Sequence, residues 1–232
     1  GANPSLNYDL VFDASSHVVL PGLINLHHHF YQTLTRVFPD ALNKELFPWL
    51  KTLYPIWAKL NPEALRLGTR LALAELLLSG CTTTSDHHYI FPPGLEKAID
   101  WQVEEAQQLG IRVVLCRGSM DRSQKDGGLP PDSVVQTSDE ILEDSERLIN
   151  KYHNSNEGAM TQIALAPCSP FSVSEEVMSE SSKLSKKHSV LLHTHLSETE
   201  DENSFCLDKM GCRPLDYLEQ VGWLTDRTWL AH

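Results

Sequence analysis

The sequence is short of several things, and each shortage excludes something. No apolar run reaches the roughly 18 residues needed to cross a bilayer, so a membrane-spanning helix is not expected. Positive charge is scarce: 19 lysines and arginines face 31 aspartates and glutamates, a formal net charge of -12. Nucleic acid and anionic membrane both need a positive face, so neither is expected as a partner. Cysteines are few: Cys81, Cys116, Cys168, Cys206 and Cys212 are odd in number and form no CxxC. Free thiols in a reducing, cytosolic setting are the expectation. Gly1-Ala2-Asn3-Pro4 is not a basic stretch leading into an apolar one, so no secretory signal is read there. Several catalytic signatures are also missing. There is no HExxH, and Ser197 lacks a GxSxG setting. Pro167-Cys168-Ser169-Pro170 is not the PCxxC of base-flipping zinc deaminases.

What is present is a repeated unit. Hydrophobic residues make up 41% and charged residues 22%, a globular profile, and 232 residues suffice for one large domain or two small ones. Short apolar runs alternate with longer amphipathic ones. Val18 to Leu26 reads as a strand bent at Pro21-Gly22, Cys81 to Asp86 as a second and Ile111 to Leu115 as a third. Gln162 to Ala166, Val190 to His195 and Thr228 to His232 continue the series to six. Between them, Asn61-Pro62 opens a helix that stops at Gly80, and a second runs from about Gly94 to Leu109. A third is capped by Ser138, and a fourth runs from Ser174 to near His188. Residues 30–60 form a long aromatic-bearing insertion, and 119–137 read as a mobile surface loop.

Strands alternating with helices imply a parallel sheet covered by helices. An open doubly wound sheet competes with a (β/α)8 barrel. No GxGxxG follows the first strand, which weakens the dinucleotide-binding version of the open sheet. In a barrel, functional residues sit at the carboxyl ends of several strands. Here His27, His29, Asp86, Cys116, Arg117, Cys168, His193, His195 and His232 end strands. The expectation is therefore an α/β fold, a TIM-type barrel truncated to about six strands.

Two motifs suggest metal chemistry. In His27-His28-His29, residues i and i+2 of an extended chain point to one side, so His27 and His29 converge while His28 faces away. Neutral imidazole suits zinc or ferrous iron, though a solvated strand end is an equal alternative at this level. In His193-Thr194-His195-Leu196-Ser197-Glu198, a carboxylate follows the second histidine by three residues, where it could act as a base or merely open a helix. His193 also reads as a histidine packed inside the barrel.

Pro21 to His29, His193 to Glu198 and Leu230-Ala231-His232 resemble, in order and on successive strands, the motifs of the amidohydrolase superfamily. The resemblance runs from about Asp9 onward and is closest to its mononuclear metal-dependent deaminases. His27 to Arg36, Leu46 to Trp57 and Ala164 to Val173 are similar to the branch acting on 8-oxoguanine and hydroxyatrazine. The resemblance implies one divalent metal, zinc or iron, on His27, His29 and His195. It implies Glu198 as proton shuttle and His232 as a hydrogen-bonding partner of water or substrate. A further ligand, an aspartate ending the eighth strand, lies outside the six strands read here. Gln32, Trp49, Arg117 and Phe171 are expected to bind a planar heterocycle, with Trp49 equally suited to anchoring the core. Residues 1–16 are expected to be the remnant of an N-terminal β-sandwich, and 17–232 a partial barrel. The implied activity is deamination of 8-oxoguanine to urate and ammonia. Alternatives are guanine or pterin deamination, triazine amino- or chlorohydrolysis, and an inactive truncated product. Self-association is left open.

Overall fold

The computed structural model describes residues 7–232. Six parallel strands form one sheet in sequential order. They are β1 (Leu23–Asn25), β2 (Cys81–His88), β3 (Arg112–Ser119), β4 (Thr161–Pro167), β5 (Leu192–His195) and β6 (Thr228–Ala231). The helices are α1 (Leu46–Trp57), α2 (Pro62–Leu78), α3 (Ala98–Leu109), α4 (Ser138–Tyr152), α5 (Glu175–His188), α6 (Glu200–Met210) and α7 (Pro214–Gln220). Local chemistry sets their ends. Asn61 accepts from the Ala64 amide with Pro62 in the first turn of α2. Gly110, at φ 72°, ends α3 in the left-handed conformation that glycine adopts freely. Among the described residues no helix is long and apolar enough to cross a membrane.

The sheet is curled. Six flat strands about 4.8 Å apart would hold the outer two roughly 24 Å from one another. Instead the Trp229 indole on β6 donates to the Leu26 carbonyl just past β1, at 3.1 Å. Sequential order and this curl exclude the open doubly wound sheet and give the arc of a barrel. The two faces alternate with the pleat. Leu115 and Ile163 pack outward with Val103, Leu148 and Val177 of the helices. Their neighbours Cys116, Ala164 and Ala166 form a separate small cluster with Val114 and Trp229 inside the curl.

Some elements differ from expectation. β1 covers only Leu23–Asn25, and Val18, Val19 and Leu20 are exposed. β2 runs on to His88 because β3 pairs with it as far as Arg117. The insertion after β1 is structured: α1 and two 3-10 turns, Phe30–Thr35 and Pro39–Ala41, bury Phe30, Tyr31, Leu53 and Tyr54. Residues 119–137 carry two 3-10 turns and bury Met120, Ser123 and Val134. Thr137, not Ser138, caps α4, and it forms a reciprocal capping box with Glu140. Of the expected N-terminal remnant, residues 1–6 lie outside the described residues and 7–16 hold no strand.

Candidate active site

The histidine segment is tied to the end of β2. Asn25 Oδ1 accepts from the His27 amide at 3.0 Å, and the His28 carbonyl accepts from the His87 amide at 2.7 Å. The Phe30 amide donates to Asp86 Oδ1 at 2.6 Å, and Gln102 donates to the other oxygen at 2.6 Å. Asp86 is buried, which pushes its carboxyl up to about 7 against the pull of those two bonds.

Backbone carbonyls then fix the imidazole protons. His29 Nδ1 faces the His87 carbonyl at 2.6 Å, His195 Nδ1 the Cys168 carbonyl at 2.6 Å, and His193 Nδ1 the Trp229 carbonyl at 2.9 Å. A carbonyl only accepts, so each of these nitrogens carries the proton and each Nε2 is bare. His193 Nε2 accepts from His27 Nδ1 at 2.8 Å, which leaves His27 Nε2 bare as well. His29 Nε2 and His195 Nε2 stand 3.1 Å apart. Two lone pairs that close repel unless a cation lies between them. Two imidazole nitrogens on one tetrahedral zinc, each about 2.0–2.1 Å from it, sit about 3.3 Å apart. The donor set therefore fits a divalent ion.

The protonation states agree. Burial, then the neighbouring His193, lowers His27 to about 3. Burial holds His29, His87 and His195 well below the usual histidine range. All four are neutral at pH 7, the form that ligates metal.

His87 was not expected from sequence. Its Nε2 donates to the Ala166 carbonyl at 2.8 Å, and its Nδ1 is buried with no hydrogen-bond partner. Ligand atoms of His27, His87 and His195 lie within 4.8 Å of one another. The signal that could have found it is the His87-His88 doublet directly after Asp86 at a strand end.

A cavity of about 220 Å³ opens over these rings, and Gln32, Trp49, Phe171, Glu198 and His232 line it along with His27, His29 and His195. Burial raises the Glu198 carboxyl, whose Oε1 lies 3.7 Å from His232 Nε2. Gln32 Nε2 donates to the Tyr89 hydroxyl at 3.3 Å. Trp49 packs edge-on against Trp57, and Phe171 packs at a tilt against Phe47.

Arg117 is a correction: it does not line this cavity. Its guanidinium donates to Asp144 at 2.9 Å and Gln136 at 2.8 Å, and covers the Phe91 ring at 4.0 Å. The pleat explains this, since Cys116 takes the inner face of β3 and the next residue must take the outer one. His193, read from sequence as packed inside the barrel, is buried there, stacks on Trp229 at 4.2 Å between centroids, and also links His27 to β6.

The amidohydrolase family matches residues 18–232. The chain is 61% identical over 232 residues to the 8-oxoguanine deaminase of Pseudomonas aeruginosa, covering all of this chain and 52% of that protein. It is 35% identical over 215 residues to the hydroxydechloroatrazine ethylaminohydrolase of Pseudomonas sp. (strain ADP), covering 91% of this chain and 44% of that one. Among solved structures, atrazine chlorohydrolase from Arthrobacter aurescens TC1 complexed with zinc matches with a TM-score of 0.87 at 33% identity. That match covers 92% of this chain and 48% of the other. The chain thus spans about half the length of the curated relatives it matches.

Proposed function

The chain belongs to the amidohydrolase family, and from that premise we propose that it forms the catalytic core of a metal-dependent deaminase of aromatic heterocycles, with 8-oxoguanine the favoured substrate. The observation that carries the reading is the set of bare nitrogens on His27, His29 and His195 beside the cavity that also takes Glu198 and His232. Identity of 61% to an 8-oxoguanine deaminase across the whole chain supports the substrate and argues against an inactive product. Residues 1–16 then lead into the barrel unit of 17–232. Five free thiols among the described residues suit a reducing, cytosolic setting.

On this reading His27, His29 and His195 hold one divalent ion, zinc or iron, since imidazole serves both. When bound, such an ion supplies Lewis-acid activation and lowers the pKa of water to about 7. Glu198 takes a proton from the attacking water and delivers it to the ring nitrogen beside the amine-bearing carbon. Its carboxyl, raised by burial, is suited to both directions of transfer. His232 donates a hydrogen bond to the oxygen on which negative charge develops. Trp49 and Phe171 stack on the planar ring, and Gln32 reads its polar edge. A C–O bond forms. Glu198, free again after protonating the ring nitrogen, moves the second water proton from the new hydroxyl to the amine, and the exocyclic C–N bond breaks to release ammonia. 8-Oxoguanine and water give urate and ammonia.

Ammonia release by the intact protein tests this against 8-oxoguanine, guanine, isoxanthopterin and hydroxytriazines. The fastest turnover is expected with 8-oxoguanine, and silence with all of them ends the deaminase reading. Release of alkylamine or chloride instead would favour the triazine hydrolases that the fold also matches. Glu198→Gln should lower kcat by roughly 10²- to 10⁴-fold with metal content unchanged.

A further inference from the structure

The carboxylate of Glu198 depends on a short, unusual turn. β5 ends at His195, and Ser197 adopts φ 57°, a left-handed conformation that a residue with a side chain enters at a cost. A left-handed residue at such a turn aims successive amides to one side, where they form a concavity for an anion. Here the anion belongs to the chain itself. Glu202 Oε1 accepts from the Ser197 amide at 3.0 Å and Oε2 from the Glu198 amide at 2.9 Å.

Glu202 is fully buried in the first turn of α6. In a capping box, a glutamate at this third helical position reaches back to the amide of the N-cap. The N-cap here is Thr199. Glu202 reaches past it, to the two residues before, one of which is Glu198. Its own carboxylate is absent from the walls of the cavity, whereas Glu198 lines it. Glu202 therefore hydrogen-bonds to the site through the backbone of its neighbour, while its charge also reaches His232.

Building on the deaminase reading, we propose that Glu202 is a positioning residue that holds the Ser197–Glu198 backbone and so aims the Glu198 carboxylate at the reacting ring nitrogen. Two charge-assisted bonds from one buried carboxylate give a rigid, two-point grip. Without it, Ser197 relaxes out of the left-handed region and Glu198 swings away from His232.

The test is a double-mutant cycle on the intact, metal-loaded protein, with Glu202→Gln, Glu198→Gln and the pair together. Glutamine keeps the volume but offers one acceptor in place of two. Glu202→Gln should lower kcat about 10- to 100-fold, the scale of a misplaced catalytic group, with KM within about threefold and metal per chain unchanged. The pair should be no slower than Glu198→Gln alone, because the grip of Glu202 is on the Glu198 backbone. A merely structural role would multiply the two losses instead, and that result overturns the proposal. So does a wild-type kcat for Glu202→Gln in an active enzyme. Should Glu202→Gln fail to fold, Glu202→Asp keeps both acceptors one methylene short and enters the same cycle with the same criteria. A wild-type protein that releases no ammonia overturns the deaminase reading, and this one with it.

Discussion

An imidazole carries one proton on two nitrogens, and the position of that proton decides whether the ring can hold a metal. In this chain the Trp229 carbonyl sets it for His193, and His193 sets it for His27. His193→Phe keeps the ring on Trp229 but removes the acceptor for the His27 proton. Metal affinity is expected to fall about 10- to 100-fold, as for other groups that orient a ligand. Metal content after dialysis against graded chelator reads this, and retention equal to wild type would deny His193 the role. Cys168 shows the opposite case. It lines the cavity beside His195, but burial pushes its thiol up to about 12, so it stays protonated and serves as a wall rather than a nucleophile.

The helices around the sheet are locked to each other by buried carboxylates. Asp100 on α3 accepts from Arg147 at 2.7 and 3.0 Å, Lys151 at 2.8 Å and Tyr152 at 2.7 Å, all on α4. Burial alone would raise its carboxyl, but these partners outweigh it and hold the group below the usual aspartate range. A depressed folded pKa stabilises the fold above the unfolded value of about 3.9 and loses that contribution as pH falls below it. Asp100→Asn should thus cost about 1–3 kcal/mol at pH 7, and its gap from wild type should narrow at pH 3. Urea unfolding at both pH values measures this, and a gap independent of pH would rule out the ionised network as the cause. Glu105 on the same helix is gripped by Arg66 and Arg70 of α2, so α3 is anchored on both sides.

At the scale of the whole molecule, among the described residues β1 pairs only with β2, and Leu23, Ile24 and Leu26 stay exposed along with Val18 to Leu20. An exposed apolar edge invites pairing with another chain. The 232-residue chain should self-associate with rising concentration in sedimentation velocity, and Ile24→Lys should shift it toward monomer; an unchanged profile would place the contact elsewhere. This edge was only partly legible in advance, since the apolar run from Val18 to Leu26 shows a strand but not which of its residues find a partner. What the sequence determined alone was local: helix caps at Asn61 and Ser174, the left-handed stop at Gly110, and the same-side pair His27 and His29, all decided within a few residues of chain. The tertiary structure alone decided the rest. The length of β2, which takes in His87, depends on pairing with β3, and the outward turn of Arg117 depends on which face of β3 meets the helices. The meeting of His27 with His193 and of His29 with His195, each pair 166 residues apart, depends on the curl of the sheet. A lone pair's neighbour is set by how the sheet curls, and no local pattern encodes that.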